Sequence, residues 1–327
     1  MNPTVTDRHI SRPLTELSIA YSQDQSEFVA RKVFPVVPVD KQYDKYYIFA
    51  QADFNRVQMK LRAPATESAE GNYRLSTDSY AAEVFGLHKD IDDQERGNAD
   101  DAFNLDSEAT EFLTHQAMLK EEVTFAAKYM VGSVWGTTIT GVASGAVPGT
   151  SVLQWNDGGS TPIEDVAAGQ DAIHVATGRR PNKLVIGQQV WTQLKNHPDI
   201  VDRIKYGAGP AAPARVQRQA VAQLLELDEI LVMGGVSNTA PENATASQSF
   251  IGGKGALLVH AAARPARMTP SAGYTFAWKG YLGGTSPVKI KRFRMEELEA
   301  DRVEIASAYV QQITGSVLGY YWTSIVA

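Results

Sequence analysis

Cysteine is absent from all 327 residues. That removes disulfide staples, thiolate metal sites, iron–sulfur clusters and cysteine nucleophiles together. A basic excess is missing too. The 31 Lys and Arg stand against 37 Asp and Glu, a net charge of -6, which disfavours dedicated polyanion binding. Long apolar runs are lacking: those at 256–263 and 317–327 are interrupted and fall short of the roughly 20 residues that a membrane span needs. The start, Met1 to His9, has no apolar core of the kind a secretory signal carries. What is present is ordinary for a globular chain: 43% hydrophobic residues, 9% aromatics, 26 Gly and 15 Pro. Composition thus points to a soluble protein of a reducing compartment. The length allows one elaborate domain or two ordinary ones, and no internal repeat or low-complexity tract appears.

The first forty residues read as an arm. Leu14, Leu17, Ala20 and Tyr21 recur at helical spacing, as do Phe28, Val29 and Lys32. The apolar stretch 33–39 follows, and its Pro35 and Pro38 forbid a central strand. It suits either extended chain laid across another surface or an edge strand. From 41 to about 91 the pattern is strand-like, with an aromatic run at Tyr43, Tyr46, Tyr47 and Phe49 and a return of strand propensity at 73–75 and 80–87. Between them lies a polar middle containing Arg56, Lys60, Arg62 and Gly71. Two limbs around such a tip make a long hairpin whose end has too few large apolar residues to bury itself. Projecting loops of this size are usually functional or partner contacts.

The strongest helical pattern covers 106–131. Phe112, Gln116, Leu119, Val123, Ala126 and Met130 follow steps of three and four, which places them on one face. On that pattern Val123→Asp unfolds the protein. Asp106 and Glu108 suit the positive N-terminal end, Lys128 the negative C-terminal end, and Gly132 the C′ position. At 1.5 Å per residue this spine is about 37 Å long. Short strands and turns are expected over 132–157. Thr161-Pro162-Ile163-Glu164 has the form of a capping box with Pro at N1, opening a helix to Gly178. A strand at 183–187, helices at 188–194, 198–206 and 217–225, and a strand at 229–233 then alternate as an α/β lobe. A loop is expected at 207–213, strands at 275–281, 288–293 and 303–310, and a closing segment at 317–326.

The chemistry-bearing residues are dispersed. His9, His88, His115, His174, His197 and His260 hold no His-Glu-x-x-His spacing. Gly141 to Gly145 and Gly315-Ser316 miss the nucleophile-elbow spacing. Gly252-Gly253-Lys254-Gly255 lacks the order of a phosphate-binding loop and suits a tight turn. Asp90, Asp92, Asp93, Glu95, Asp100 and Asp101 invite a calcium loop, but its sixth position is Glu95 instead of Gly and its twelfth is Asp101 instead of Glu; a solvated loop is the expectation. Lys289, Lys291, Arg292 and Arg294 form a basic strand followed at once by Glu296, Glu297, Glu299 and Asp301, so ion pairs within or between subunits are expected in preference to polyanion binding. Asn243-Ala244-Thr245 matches a glycosylation sequon, without meaning in a chain that lacks a secretory signal. No catalytic, cofactor-binding or metal-ligating set emerges, and the protein is read as not an enzyme.

Two groups of residues carry a resemblance. One is Ala20-Tyr21, Phe28-Val29-Ala30, Val33 to Val39 and Lys45-Tyr46-Tyr47. The other is Trp155-Asn156-Asp157, Thr161 to Asp165, Thr177 to Asn182, Leu184 to Gly187, Val190-Trp191, Leu194 and His197 to Ile200. Together with the order arm, hairpin, spine helix, α/β lobe and returning strands, they resemble the major capsid proteins of tailed bacteriophages. The resemblance implies an α+β architecture, the Johnson fold known from phage Hong Kong ninety-seven. It divides the chain into an N-terminal arm (1–40), an extended loop (41–88), a peripheral domain with the spine helix (89–159), an axial domain (160–270) and returning strands of the peripheral domain (271–327).

It further implies a virion structural protein that self-assembles as pentamers and hexamers into an icosahedral shell around double-stranded DNA, built in the host bacterial cytoplasm. The implied partners are other copies of the chain, a separate scaffolding protein, a portal and a decoration protein, with weak non-specific contact to packaged DNA and none to membrane. The separate scaffold is expected because the chain begins directly with the arm. Some members crosslink a loop Lys to a neighbour's Asn. Lys60 is the candidate here, but no acidic catalyst or partner Asn is marked, and crosslinking is not expected. Two other readings stay open: an encapsulin-like compartment shell with enzyme cargo, and an α/β hydrolase using dispersed Asp or Glu pairs.

Overall fold

The structure, a computed structural model, describes residues 23–99, 104–207, 217–266, 268–283 and 288–327. Leu14, Leu17, Ala20, Tyr21, His9, Asp100, Asp101 and the loop 208–213 lie outside the described residues. The chain opens with the short helix α1 (Ala30–Val33) and strand β1 (Val36–Val39). The hairpin strands β2 (Tyr43–Phe49) and β3 (Leu75–Ala81) follow, with the one-turn α2 (Gln51–Phe54) between them. Strand β4 (Glu83–Asp92), helix α3 (Asp93–Asn98) and the spine α4 (Leu105–Tyr129) come next. Then come β5 (Thr137–Val142), β6 (Ser151–Leu153), α5 (Pro162–Thr177), β7 (Lys183–Gly187), α6 (Gln188–Leu194), α7 (Pro198–Gly207), α8 (Arg218–Leu224) and β8 (Glu229–Met233). The chain finishes with β9 (Val236–Asn238), β10 (Gln248–Phe250), β11 (Ala256–Val259), β12 (Gly273–Trp278), α9 (Lys279–Leu282), β13 (Val288–Met295), β14 (Ala300–Ile313) and β15 (Gly319–Thr323).

Two main sheets organise these elements into an α+β architecture. In the first, β1, β12, β14 and β13 run in that order, and β4 pairs the other side of β14. Strand β1 lies at its edge, parallel to β12, with Val36 opposite Thr275 and Pro38 opposite Ala277. An edge tolerates Pro38, which has no N–H to give, so residues 36–39 follow the edge-strand alternative. The second sheet has the order β6-β5-β15-β11-β7-β8. Its central strand β11 is buried along its whole length, covered by helices in the manner of an α/β layer. Trp155 and Trp322, both fully buried, meet at 5.9 Å beneath α5. A Cβ at Gly169 would stand 2.8 Å from the Trp322 ring, so glycine is what lets α5 approach that strand.

The spine helix begins where Asn104 caps it by accepting from the Ser107 N–H, and it ends at Tyr129 with Met130 as its cap. Its last carbonyls are taken by side chains: the Trp135 indole donates to Tyr129 O at 2.7 Å and the Tyr321 hydroxyl to Met130 O at 2.8 Å. That stops the helix before Gly132, which opens a 3-10 turn instead of capping. The buried face also differs from the sequence expectation. It consists of Ala109, Leu113, Glu121, Glu122, Phe125 and Tyr129, while Phe112 and Val123 are exposed. Hydrophobic periodicity caught only part of the inward side, where Ala126 and Met130 pack half-buried against the core, because two glutamates and an alanine make up much of the rest. Val123, 37% exposed, is therefore no core residue, and Val123→Asp is not expected to unfold the protein.

Further differences come from long-range pairing. Residues 83–88, assigned to the extended loop, belong to β4 and pair with β14, Glu83 opposite Tyr309. The hairpin closes earlier, where the Ala82 N–H donates to Gln42 O and the Gln42 amide donates back to Ala82 O. Strands β5 and β6, assigned with the spine helix, and β15, assigned with the returning strands, join the sheet of β7, β8 and β11. Thr161 makes no side-chain cap, so the expected capping box does not form. Glu164 pairs with Arg203 at 3.0 Å instead. The helix itself forms as expected, with Pro162 at its start and Gly178 ending it at φ 70°.

Candidate functional site

The hairpin β2–β3 has two unlike faces. Alternation places Tyr46 and Tyr80 inward, where they pack on Phe276 of β12. Tyr80 stacks on it at 4.7 Å and 13° between planes, and Tyr46 lies at 5.5 Å. The Tyr46 hydroxyl donates to Asp78 across the strand pair at 2.8 Å, and burial pushes that phenol well above its usual range. The opposite face carries Tyr43, Tyr47 and Leu75, all exposed. One side of the hairpin is thus fastened to its own sheet and the other is left uncovered.

Its tip is built, not slack. The Asp53 carboxylate accepts from the Arg74 backbone N–H at 2.9 Å and from its guanidinium at 3.0 and 3.3 Å. Those hydrogen bonds hold the Asp53 carboxyl below its ordinary range. The Gln58 amide donates to Asn72 O and accepts from the Asn72 N–H. Phe49, Phe54 and Tyr73 form a ring triangle with centroids 5.8 to 6.0 Å apart. Beyond this clasp Val57, Met59 and Leu61 alternate along the chain, and Met59 is 92% exposed. Exposed large apolar groups set on a rigid base form a contact surface in the usual case. Sequence reasoning found the projection but read its tip as polar. The signal it passed over was the every-second-residue apolar trio at 57, 59 and 61.

The acidic and basic stretches meet each other. Arg302 grips Asp90 through two bonds of 2.6 and 2.7 Å, and Arg294 grips Asp93 at 2.7 and 2.6 Å. Arg96 and Arg292 both reach Asp106 and Asp301. Arginine hydrogen bonds hold Asp90, Asp93 and Asp106 below the ordinary carboxylate value. Asp92 caps α3 by accepting from the Glu95 N–H. Lys291 lies over the Tyr281 ring at 5.8 Å. These pairs lie within one chain and tie β4, β13 and β14 to the start of the spine. Among the described residues no three His, Asp or Glu side chains converge at ligating distance.

The histidines are scattered. His88 lies 3.9 Å from Asp90, and His115 accepts from the Gln23 N–H and meets the edge of Phe28. His197 is buried with Nε2 3.1 Å from Ser160 Oγ, and His260 Nδ1 donates to Arg180 O. His174 borders a cavity of about 360 Å³ beside Arg180, Arg203 and Glu226. A groove of about 480 Å³ runs between Val123 and Met130 of the spine and the turn Gly252 to Gly255. That turn links β10 to β11 as expected, with Gly253 at φ 56°. Asp171 also lines the cavity beside His174, and Glu226 there pairs with Arg180 at 3.6 Å. The glutamates that sequence reasoning passed over, Glu121 and Glu122, are buried on the spine and occupied by residues 29–31.

Comparison with known proteins places these features. Residues 150–272 match the family model of phage major capsid protein E. The chain is 24% identical to a major capsid protein of Pseudomonas phage JBD67 over 97% of both chains. It is 26% identical to a major capsid protein of Burkholderia phage BcepMu over 61% of this chain, a match spanning 62% of that relative. Among solved structures, a phage-related protein from Bordetella bronchiseptica superposes with a TM-score of 0.69 at 19% identity, covering 93% of this chain and 94% of that one. The capsid of cyanophage P-SCSP1u superposes with 0.58 at 10% identity, over 94% and 89%. An encapsulin complex from Synechococcus elongatus superposes with 0.55 at 9% identity, over 97% and 95%.

Proposed function

We propose that the chain is one of the major capsid proteins of tailed phages, the repeating subunit of an icosahedral shell, grouped as pentamers and hexamers around double-stranded DNA. The fold is the Johnson fold, and the family is structural instead of enzymatic, which sets the hydrolase reading aside. The observation that carries the shell reading is the hairpin. Its root is stacked on Phe276, while its tip holds Val57, Met59 and Leu61 in solvent. A surface that is apolar and uncovered in the single chain suits burial on a neighbouring copy.

On this reading 1–40 serves as arm and 41–82 as extended loop. The six-stranded sheet forms the axial body, and β4, β12, β13, β14 and the spine form the peripheral one. A scaffolding protein, a portal, a decoration protein and host-cytoplasmic assembly complete the scheme as expectations from the family. The net charge of -6 supports a wall with only weak affinity for its DNA. Among the described residues no helix is long and apolar enough to cross a membrane.

Negative-stain microscopy of the purified protein, alone and with its neighbouring genes, tests the reading. Hollow particles or five- and six-membered rings are expected, and a monomer that never assembles overturns it. The encapsulin likeness rests on fold alone. Nucleic acid inside particles from infected cells, without enzyme cargo, distinguishes the two shells.

A further inference from the structure

The short helix α1 is held at both ends by charged side chains from distant parts of the chain. At its start, Glu122 Oε2 accepts from the N–H groups of Val29 and Ala30 at 3.0 and 2.8 Å. At its end, the Lys183 ammonium of β7 donates to Lys32 O and to Val33 O. A carboxyl oxygen at the N–H end and an ammonium at the carbonyl end thus satisfy backbone groups that the short helix leaves unpaired. Helix α1 therefore bridges the spine helix and the six-stranded sheet. It leads directly into β1 and the first limb of the hairpin.

One atom of this clasp is unmatched. Glu122 is fully buried, and its second oxygen, Oε1, has no hydrogen-bond partner among the described residues. An ionised carboxylate would leave half its charge uncompensated there, which is costly away from water. A neutral carboxylic acid removes that charge and still offers Oε2 to both N–H groups. We propose that Glu122 is a proton-operated latch, which holds residues 28–33 against the spine most firmly when it is protonated.

The surroundings agree. Glu121 is the neighbouring buried acid, paired with Arg31 at 2.6 Å. Lys32 lies on the clasped segment, Lys183 beyond it, and Tyr309 and Gln311 of β14 face Glu121. His115 sits two turns up the spine beside Phe28. Burial, partly offset by the two N–H groups, pushes the Glu122 carboxyl up to about 7. A group raised in the docked state binds its proton more tightly there. Docking therefore strengthens as pH falls from about 7 toward the ordinary 4.5, and is level outside that window. The direction is opposite to that of the arginine-paired aspartates. The latch acts within one chain and does not depend on the shell reading.

Hydrogen–deuterium exchange on the full chain, corrected for the intrinsic pH dependence of exchange, tests this. Protection of the 28–34 peptide is expected to rise between pH 8 and pH 5, approaching tenfold per unit below about 7, while 256–259 stays level. Glu122→Gln, which keeps an acceptor without charge, is expected to hold the low-pH protection at every pH. Glu121→Gln is expected to keep the slope and move its midpoint lower, because the Glu121 charge raises Glu122. A level wild-type profile, a slope that survives in Glu122→Gln, or an unmoved midpoint in Glu121→Gln each overturns the latch. If Glu122→Gln does not fold, the wild-type slope and the Glu121→Gln midpoint still decide.

Discussion

Tyr80 lies almost flat on Phe276, ring centroids 4.7 Å apart, and this stack joins the root of the hairpin to β12 of the central five-stranded sheet. The tyrosine is 80 residues into the chain and its partner lies in the last quarter, so the contact fixes the projection only once the sheet has formed. Phe276→Ala is expected to cost about 3 kcal/mol, in the range for burying and then deleting an aromatic ring. Urea unfolding checks it. Tyr80→Phe, which keeps the stack and loses only the bond to Lys41 O, is expected to cost about 1 kcal/mol.

Replacing the tip separates folding from assembly. Phe49 and Leu75 are register partners, so residues 50–74 can be exchanged for an Asn-Gly turn that suits a two-residue hairpin. The shortened protein is expected to keep its circular dichroism spectrum and cooperative unfolding, and to yield no particles by microscopy. Loss of secondary structure would make the tip part of the core. Particles of normal size would mean that the exposed apolar trio is not an assembly contact.

The spine helix gives a paired test of its phase. Leu113 is fully buried between Ile91 and Val303, so Leu113→Ala is expected to cost about 3 kcal/mol. Val123→Asp, on the outward side, is expected to cost less than about 1 kcal/mol, as surface changes do. Denaturant midpoints for the two variants decide it. The reverse order would restore the face that hydrophobic spacing suggests.

Acid is expected to weaken the ion pairs that join β4, β13 and β14 to the start of the spine. Arginine hydrogen bonds hold Asp90, Asp93 and Asp106 below the ordinary 3.8. Their contribution is therefore present above about that pH and is lost as pH falls through the lowered values. Arg302→Met removes the partner of Asp90. The variant is expected to be less stable than wild type at pH 7, and the two are expected to converge near pH 2 to 3. Urea midpoints across that range check it, and a difference that stays constant with pH would contradict it.

Glycine 187 tests a close approach. A Cβ there would stand 2.0 Å from the Gly253 carbonyl oxygen, whereas at Gly97 nothing among the described residues lies within 4 Å. Gly187→Ala is expected to cost about 2 kcal/mol through backbone displacement, and Gly97→Ala to be neutral or slightly stabilising, since it lies in helix α3. Thermal unfolding of the two variants compares them directly.

Local chemistry wrote much of this protein into its sequence. The proline at the start of α5, the glycine that ends it, and the apolar run of β7 all act over a few residues, and each appears in the structure where spacing placed it. The pairing of Arg294 with Asp93 was half visible, since opposite charges flank each other in composition but not in order. Tertiary structure alone decided the rest. Which face of the spine turned inward depended on Glu121 and Glu122 finding Arg31 and the N–H groups of Val29 and Ala30, 90 to 93 residues away. Hydrophobicity cannot register such a partner, because a buried charge becomes tolerable only when distant donors are brought to it. Sheet membership of β5, β6 and β15 was likewise settled by strands far apart in the chain, and so was the exposure of Val57, Met59 and Leu61, which is a property of what does not cover them.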